Sequence, residues 1–327
     1  MPFLEHVVRG RPVPRERLLE VAEHYHHFGG RSPLNEHNRQ LRQALEELLR
    51  AEGPALPVYW GNRHWHPFLG ETIAKMAEDG VQRAIAFVTS AYSSYSGCRQ
   101  YREEIEAARL EVGADAPVID KLRVFYNHPT FIEVMAERTQ QALDRVPSEL
   151  RASTRIAFTA HSIPVAMADN CQYVAQLEEA CRLVAERIPW ERWQLVYQSR
   201  SGPPSQPWLE PDILEHIEAL HRIGTQSVVV VPIGFLAEHM EVIWDLDNEA
   251  QQLCDKLGMS FVRAQTAGLH PAFIGMIREL ILERVEGSMR RSLGVLGSSH
   301  DVCPETCCLY TPQGGRPEGL AVRREKP

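Results

Sequence analysis

The chain has 327 residues, a length that suits two domains with ample material for a buried core. Hydrophobic residues make up 44%, charged residues 24% and aromatic residues 8%, which excludes a disordered chain, a collagen-like repeat and a small disulfide-stapled module. The 35 Lys and Arg against 43 Asp and Glu give a net charge of -8, which argues against a nucleic-acid binder held by a broad basic face, although local arginines can still hold a small anion.

No apolar run approaches the roughly 20 residues needed to cross a bilayer. The start, Met1-Pro2-Phe3-Leu4-Glu5, lacks the charged-then-apolar layout of a secretion signal, so a reducing cytoplasm is expected and the seven cysteines read as thiols or metal ligands. Amphipathic helices are predicted from Pro14 to His27 and from Leu34 to Glu52, separated by Gly29-Gly30. After a short apolar segment, Pro57 to Trp60, comes a polar aromatic loop running from Gly61 to Pro67. A helix from Gly70 to Asp79 and a fully apolar strand from Arg83 to Thr89 follow, then a hydroxyl-rich run from Ser90 to Gly97.

The second half repeats this rhythm. Strands are predicted at Arg155 to Ala160, Gln194 to Gln198, Val228 to Ile233 and Ser260 to Arg263. The helices between them run Tyr173 to Arg187, Pro211 to Ile223 and Glu238 to Leu257. The fold class is α/β, with two similar doubly wound domains built on parallel sheets. Val58-Tyr59-Trp60-Gly61 matches Val196-Tyr197-Gln198-Ser199, and Ile85-Ala86-Phe87-Val88-Thr89 matches Val229-Val230-Val231-Pro232-Ile233. The opening strand of the second half has no counterpart in the first, so residues 1–125 are expected to form a domain without its first strand. A helix at 270–297 is expected to pack back on that domain, residues 126–269 to form the second domain, and residues 298–327 a cysteine-containing tail.

In an open parallel sheet ligands bind beyond the carboxyl ends of the strands. The residues there are Asn62, Arg63, His64 and His66; Ser90, Tyr92, Ser93 and Tyr95; His161; Ser199 and Arg200; and Glu238, His239 and Glu241. His64 and His66 taken singly read as ordinary polar residues, whereas His161 and Glu241 follow strands at the expected mouth. On a regular helix Glu238, Glu241, Asp245 and Glu249 would form one acidic ladder, which a cation or protons must offset. Oxygen and imidazole ligands suit a divalent first-row metal in transit. Aromatic walls, histidines and a carboxylate together suit a flat nitrogenous ligand whose protons must be removed, as in metal insertion into a porphyrin.

Four segments carry a resemblance: Trp65-His66-Pro67-Phe68, Val88 to Tyr101, Phe158-Thr159-Ala160-His161-Ser162-Ile163-Pro164, and Pro232 to Glu241. Together they resemble the ferrochelatase family, in particular its soluble bacterial branch that metallates coproporphyrin III. The resemblance implies two α/β domains around a porphyrin cleft and ferrous iron as second substrate, with protoporphyrin IX as the other porphyrin. His161 would be the metal-site histidine and proton acceptor, and Glu241 the carboxylate facing it across the macrocycle. His239, Glu238 and Asp245 would line a metal or proton path. Porphyrin contacts would come from Arg9, Arg11, Arg31, Ser32, Tyr126, Tyr92 and Ser93. Family members begin with a strand and a glycine-containing loop, and this chain starts at the segment that would follow them.

Some members carry a [2Fe-2S] cluster. Cys303, Cys307 and Cys308 fit the C-terminal trio, while Val134 stands at the aligned internal position, leaving Cys171, or less favourably Cys181, as fourth ligand. Zinc is the lesser alternative. Haem-pathway enzymes are the expected protein partners. Competing readings are a non-catalytic porphyrin- or haem-delivery protein and a chelatase for another metal or tetrapyrrole.

Overall fold

A computed structural model describes residues 2–7, 13–202 and 205–310. Arg9 and Arg11 lie outside the described residues. The chain opens with α1 (Pro2–Val7), α2 (Arg15–His27) and α3 (Leu34–Glu52), the last ending at Gly53, whose φ of 70° is open to glycine without strain. Then come α4 (Leu69–Glu78), β1 (Arg83–Ala86), a π-helical turn (Tyr95–Arg99) running into α5 (Gln100–Val112), and β2 (Val118–Lys121). β1 and β2 form a parallel pair, with Arg83 opposite Val118 and Ala86 opposite Lys121. The 57–60 segment is not hydrogen-bonded into this sheet among the described residues.

After α6 (Pro129–Asp144), the second half contains β3 (Arg155–His161), α7 (Val165–Ala168), α8 (Tyr173–Arg187), β4 (Trp193–Gln198), α9 (Ile213–Arg222) and β5 (Ser227–Val231). It continues with α10 (Met240–Trp244), α11 (Gln251–Leu257), β6 (Ser260–Arg263) and α12 (Pro271–Val285). Its sheet is fully parallel in the order β4-β3-β5-β6. Chain-order neighbours are thus not always spatial neighbours, as double winding requires. β5 is buried along its whole length, which explains its unbroken run of valines.

Two predicted helices are shorter than expected. The 238–257 helix is interrupted by a π-helical turn at Asp245–Ala250, which rotates the residues beyond it and breaks the regular spacing assumed for an acidic ladder. The 270–297 helix stops at Val285, where Glu286 and then Gly287 at φ 69° turn the chain out of helix. The helical part does return to the first half: Arg278 donates to the carbonyls of Glu52 and Gly53 at 2.6 Å. Buried Arg123 forms a two-pronged pair with Glu283 at 2.7 and 2.9 Å.

One close approach fixes the end of β3. Gly234 N–H donates to Thr159 O at 3.0 Å, and a Cβ placed on Gly234 would come within 2.7 Å of the Ala160 Cα. Only glycine lets the loop after β5 lie on the backbone that presents His161. Gly234→Val should therefore lower stability by ~1–3 kcal/mol, the usual cost of overpacking. Gly275→Ala, on a helix with nothing within 4 Å of the new Cβ, should be neutral or stabilising. Thermal denaturation of the two variants checks this ordering.

Candidate active site

His161 is the last residue of β3, and Glu241 lies in the first turn of α10, just after the β5 loop. Their side chains meet at the carboxyl end of the sheet with Nε2 to Oε1 at 3.6 Å. A second imidazole, His239, brings Nδ1 to 4.0 Å from the other Glu241 oxygen. Half of the Glu241 side-chain surface is open, and α10 packs against α2, where Tyr25 lies close enough for the Glu241 charge, after burial, to raise its hydroxyl pKa. The expectation that Glu241 faces His161 across a macrocycle is not met. Contacting carbon atoms sit about 3.5–4.0 Å apart, so a ring between the two groups would need nearly twice the observed separation. The two side chains touch directly, with no ring-sized gap between them.

The supporting shell is polar and directional. His161 Nδ1–H donates to Ser162 O at 2.5 Å, which leaves Nε2 with its lone pair toward Glu241. Tyr173 O–H donates to His161 O at 3.0 Å. Buried Gln198 donates to Glu241 O at 2.8 Å and to Asp245 Oδ2 at 3.3 Å, and Ser199 O–H donates to the same Asp245 oxygen. His24 of α2 stacks on Trp244 with centroids 3.7 Å apart, tying α2 to α10.

Burial works against charge throughout this site, and partners decide the outcome. Desolvation alone would raise the Glu241 carboxyl, but His161, by charge and hydrogen bond, and then His239 overcome it and hold the group down at about 2. Burial likewise opposes protonation of His161, and Glu241 reverses that and raises it above the usual imidazole value. His239 is lowered, because burial prevails over the Glu241 charge. Asp245 is pushed up to about 7, by burial first. The result is an imidazole whose protonated form the neighbouring carboxylate favours, beside a carboxyl able to exchange protons near neutrality.

Other predicted residues separate from this centre. Glu238 turns away to an ion pair with Arg263 at 2.9 Å and accepts the Thr266 N–H at 3.0 Å, because the residue lies before α10 and not on its acidic face. Tyr92 and Tyr126 are core residues: the Tyr92 hydroxyl donates to Ile233 O at 3.1 Å and that of Tyr126 to Gly297 O at 3.5 Å. Placing them on a ligand is corrected accordingly, since their large apolar rings are consumed by packing. Ser93 is held by Gln176 through both its N–H and its hydroxyl. Arg31 is exposed on the loop between α2 and α3, with Ser32 accepting the Leu34 N–H at 3.3 Å. His66 faces Glu71 at 3.3 Å at the start of α4. Sequence reasoning missed Tyr25, Tyr173 and Gln198; the last was legible as a polar residue ending an apolar strand.

A second group of donors gathers away from this centre. His300, Cys303 and Cys307 place their ligand atoms within 4.8 Å of one another, and Cys307 Sγ lies 3.5 Å from Cys308 Sγ. Buried Cys98, in the π-helical turn before α5, hydrogen-bonds Cys303, and together with burial this pushes the Cys303 thiol up to about 12. Arg99 donates to Cys307 O at 3.0 Å and Arg102 to Cys303 O at 3.1 Å, fastening the C-terminal segment there. The Cys171 thiol instead donates to Met167 O at 3.3 Å, within its own helical turn. Cys181 is completely buried in the core.

Among the described residues, no helix is long and apolar enough to cross a membrane. SirB from Bacillus subtilis, solved with Fe3+, shares the fold at TM-score 0.54 and 16% identity, over 76% of this chain and 92% of its own. A ferrochelatase from Rhodopirellula baltica is 54% identical over 97% of this chain and 92% of its own length. A coproporphyrin III ferrochelatase from Nocardia farcinica is 49% identical over 94% and 91%. The ferrochelatase family profile matches residues 1–285. The family match over residues 1–285 and the 54% identity to a ferrochelatase over nearly the whole chain show that this chain belongs to the ferrochelatase family.

Proposed function

We propose that this protein inserts Fe(II) into a porphyrin in haem biosynthesis, with coproporphyrin III as the porphyrin. The observation that carries the reading is the 3.6 Å contact of His161 Nε2 with Glu241 in a member of this family. The printed name of the Nocardia relative supports the choice of porphyrin. Exchanging the two pyrrole N–H protons for Fe2+ releases two protons and leaves the iron oxidation state unchanged. The protein therefore has to accept protons where the metal arrives. His161 is built for this: Nδ1–H is committed to Ser162 O, and a proton gained at Nε2 is stabilised by the adjacent carboxylate. Asp245, near neutrality in its affinity and joined to the Glu241 backbone through Gln198, is the next acceptor outward. Arg31 and Ser32 offer a cation and a hydroxyl for substrate carboxylates.

The reading extends to a [2Fe-2S] cluster on Cys98, Cys303, Cys307 and Cys308, with Cys98 in the role sequence reasoning gave to Cys171. Four thiol donors and the Cys98–Cys303 contact fit such a group. When bound, the cluster would cross-link the C-terminal segment to the turn before α5. His300 adds the nitrogen donor that a zinc site would use.

His161→Ala is expected to reduce metallation at least ~10²-fold while retaining porphyrin binding. Anaerobic mixing with Fe(II), followed by loss of porphyrin fluorescence, measures both. Near-normal turnover in that variant rejects the assignment, and stoichiometric quenching without turnover in the unaltered protein points to a carrier. For the cluster, anaerobically purified protein should show visible absorption with iron and acid-labile sulfide. Cys98→Ser should remove these and Cys171→Ser should keep them. Colourless protein with one zinc, or the reverse order of the two variants, contradicts the ligand set.

A further inference from the structure

The four thiols assigned above to a cluster fall into two close pairs. Cys98 and Cys303 hydrogen-bond each other, and Cys307 Sγ lies 3.5 Å from Cys308 Sγ. Two irons need four protein donors, so the thiols complete the set and leave one further group over. That group is His300. Its Nε2 lies 3.8 Å from Cys307 Sγ, it also hydrogen-bonds Cys303, and the ligand atoms of all three residues fall within 4.8 Å of one another.

The chemistry of a bound thiolate decides what such a neighbour does. Free thiols can donate to one another, but a thiolate on iron has no S–H to give and only accepts. The thiol-to-thiol hydrogen bonds then vanish, and an imidazole carrying its proton on Nε2 faces the sulfurs as a donor. Lys121 also places positive charge near Cys303, but its ammonium donates to Leu122 O at 2.8 Å. The backbone around His300 is fastened on both sides. Asn127 donates to Leu293 O at 3.0 Å and to Gly297 O at 2.8 Å, the adjacent Asp301 pairs with Arg290, and Arg102 donates to Cys303 O at 3.1 Å. His300 itself is exposed, so packing does not account for its place beside the sulfurs.

We propose that His300 sets the reduction potential of the [2Fe-2S] group by donating its Nε2–H to the Cys307 sulfur, with Cys303 in reach of the same donor. The inference rests on the cluster reading above and concerns how that group is tuned. One-electron reduction adds a negative charge shared by the irons and their thiolates. A hydrogen bond to a thiolate draws density away from it and stabilises that charge, so it raises the potential. His300 acts through the ligands and is not one of them.

The test titrates the anaerobically purified full chain with dithionite and mediator dyes, following visible absorption and the electron paramagnetic resonance of the reduced form. His300→Leu should keep the absorption, iron and sulfide of the unaltered protein and shift its reduction equilibrium at least about tenfold toward the oxidised form, about 59 mV for one electron. His300→Gln, which retains an N–H donor, should recover part of that shift. Equal midpoints in all three proteins overturn this inference alone. Loss of the absorption in His300→Leu, or strong nitrogen coupling from a directly bound imidazole in the reduced unaltered protein, makes His300 a ligand and also overturns it. Unaltered protein without visible absorption overturns the cluster reading itself, and this inference with it.

Discussion

An imidazole held against a carboxylate, at the end of a buried strand, is the constraint around which the second half is arranged. The contact survives desolvation only because each charge is the other's main compensation. Its dependence on pH follows from the two shifts. Glu241, depressed from its ordinary 4.5 to about 2, contributes stability that is present above 4.5 and fades as pH falls toward 2. His161, raised, contributes stability that is complete below the ordinary imidazole value of 6.5 and is lost as pH rises through its elevated one. Across the interval between, both groups are charged. Gly234 brings the β5 loop onto β3, Gln198 braces the α10 backbone, and Tyr173 holds the His161 carbonyl, so the pair is fixed from three elements.

The two halves share a winding rule but satisfy it unequally. In the second, every interior strand has neighbours on both edges and the valines of β5 are sealed from solvent. In the first, among the described residues, β1 is bonded on one edge only, and its apolar residues line a cavity. Helix α12 and the Arg123–Glu283 pair tie the chain's later part to this first half. The C-terminal thiols do so again through Cys98, Arg99 and Arg102.

Much of this was legible from residue order. An uninterrupted apolar run gave β5, the 3.6-residue period gave α3 and α8 to the residue, and the position of His161 and Glu241 after strands marked the mouth of the sheet. What escaped depended on local departures or long-range contacts. The π-helical turn at Asp245 leaves no mark in hydrophobic spacing, so the acidic ladder was drawn too regularly and Glu238 was aligned with residues it does not join. Cys98 drew no ligand role from the sequence, because its nearness to Cys303 spans about two hundred residues of chain. Tyr92 and Tyr126 were assigned to a ligand by resemblance, and their burial is a packing outcome that no single motif reveals.

The account rests on His161 being the group whose proton affinity Glu241 sets. The direct measurement is an NMR titration of the His161 ring in metal-free protein, compared with Glu241→Gln. The account predicts a His161 midpoint above the ordinary imidazole value of 6.5 in the unaltered protein and a clearly lower midpoint in the variant, where the carboxylate no longer offsets burial. A midpoint that is the same in both proteins would contradict it.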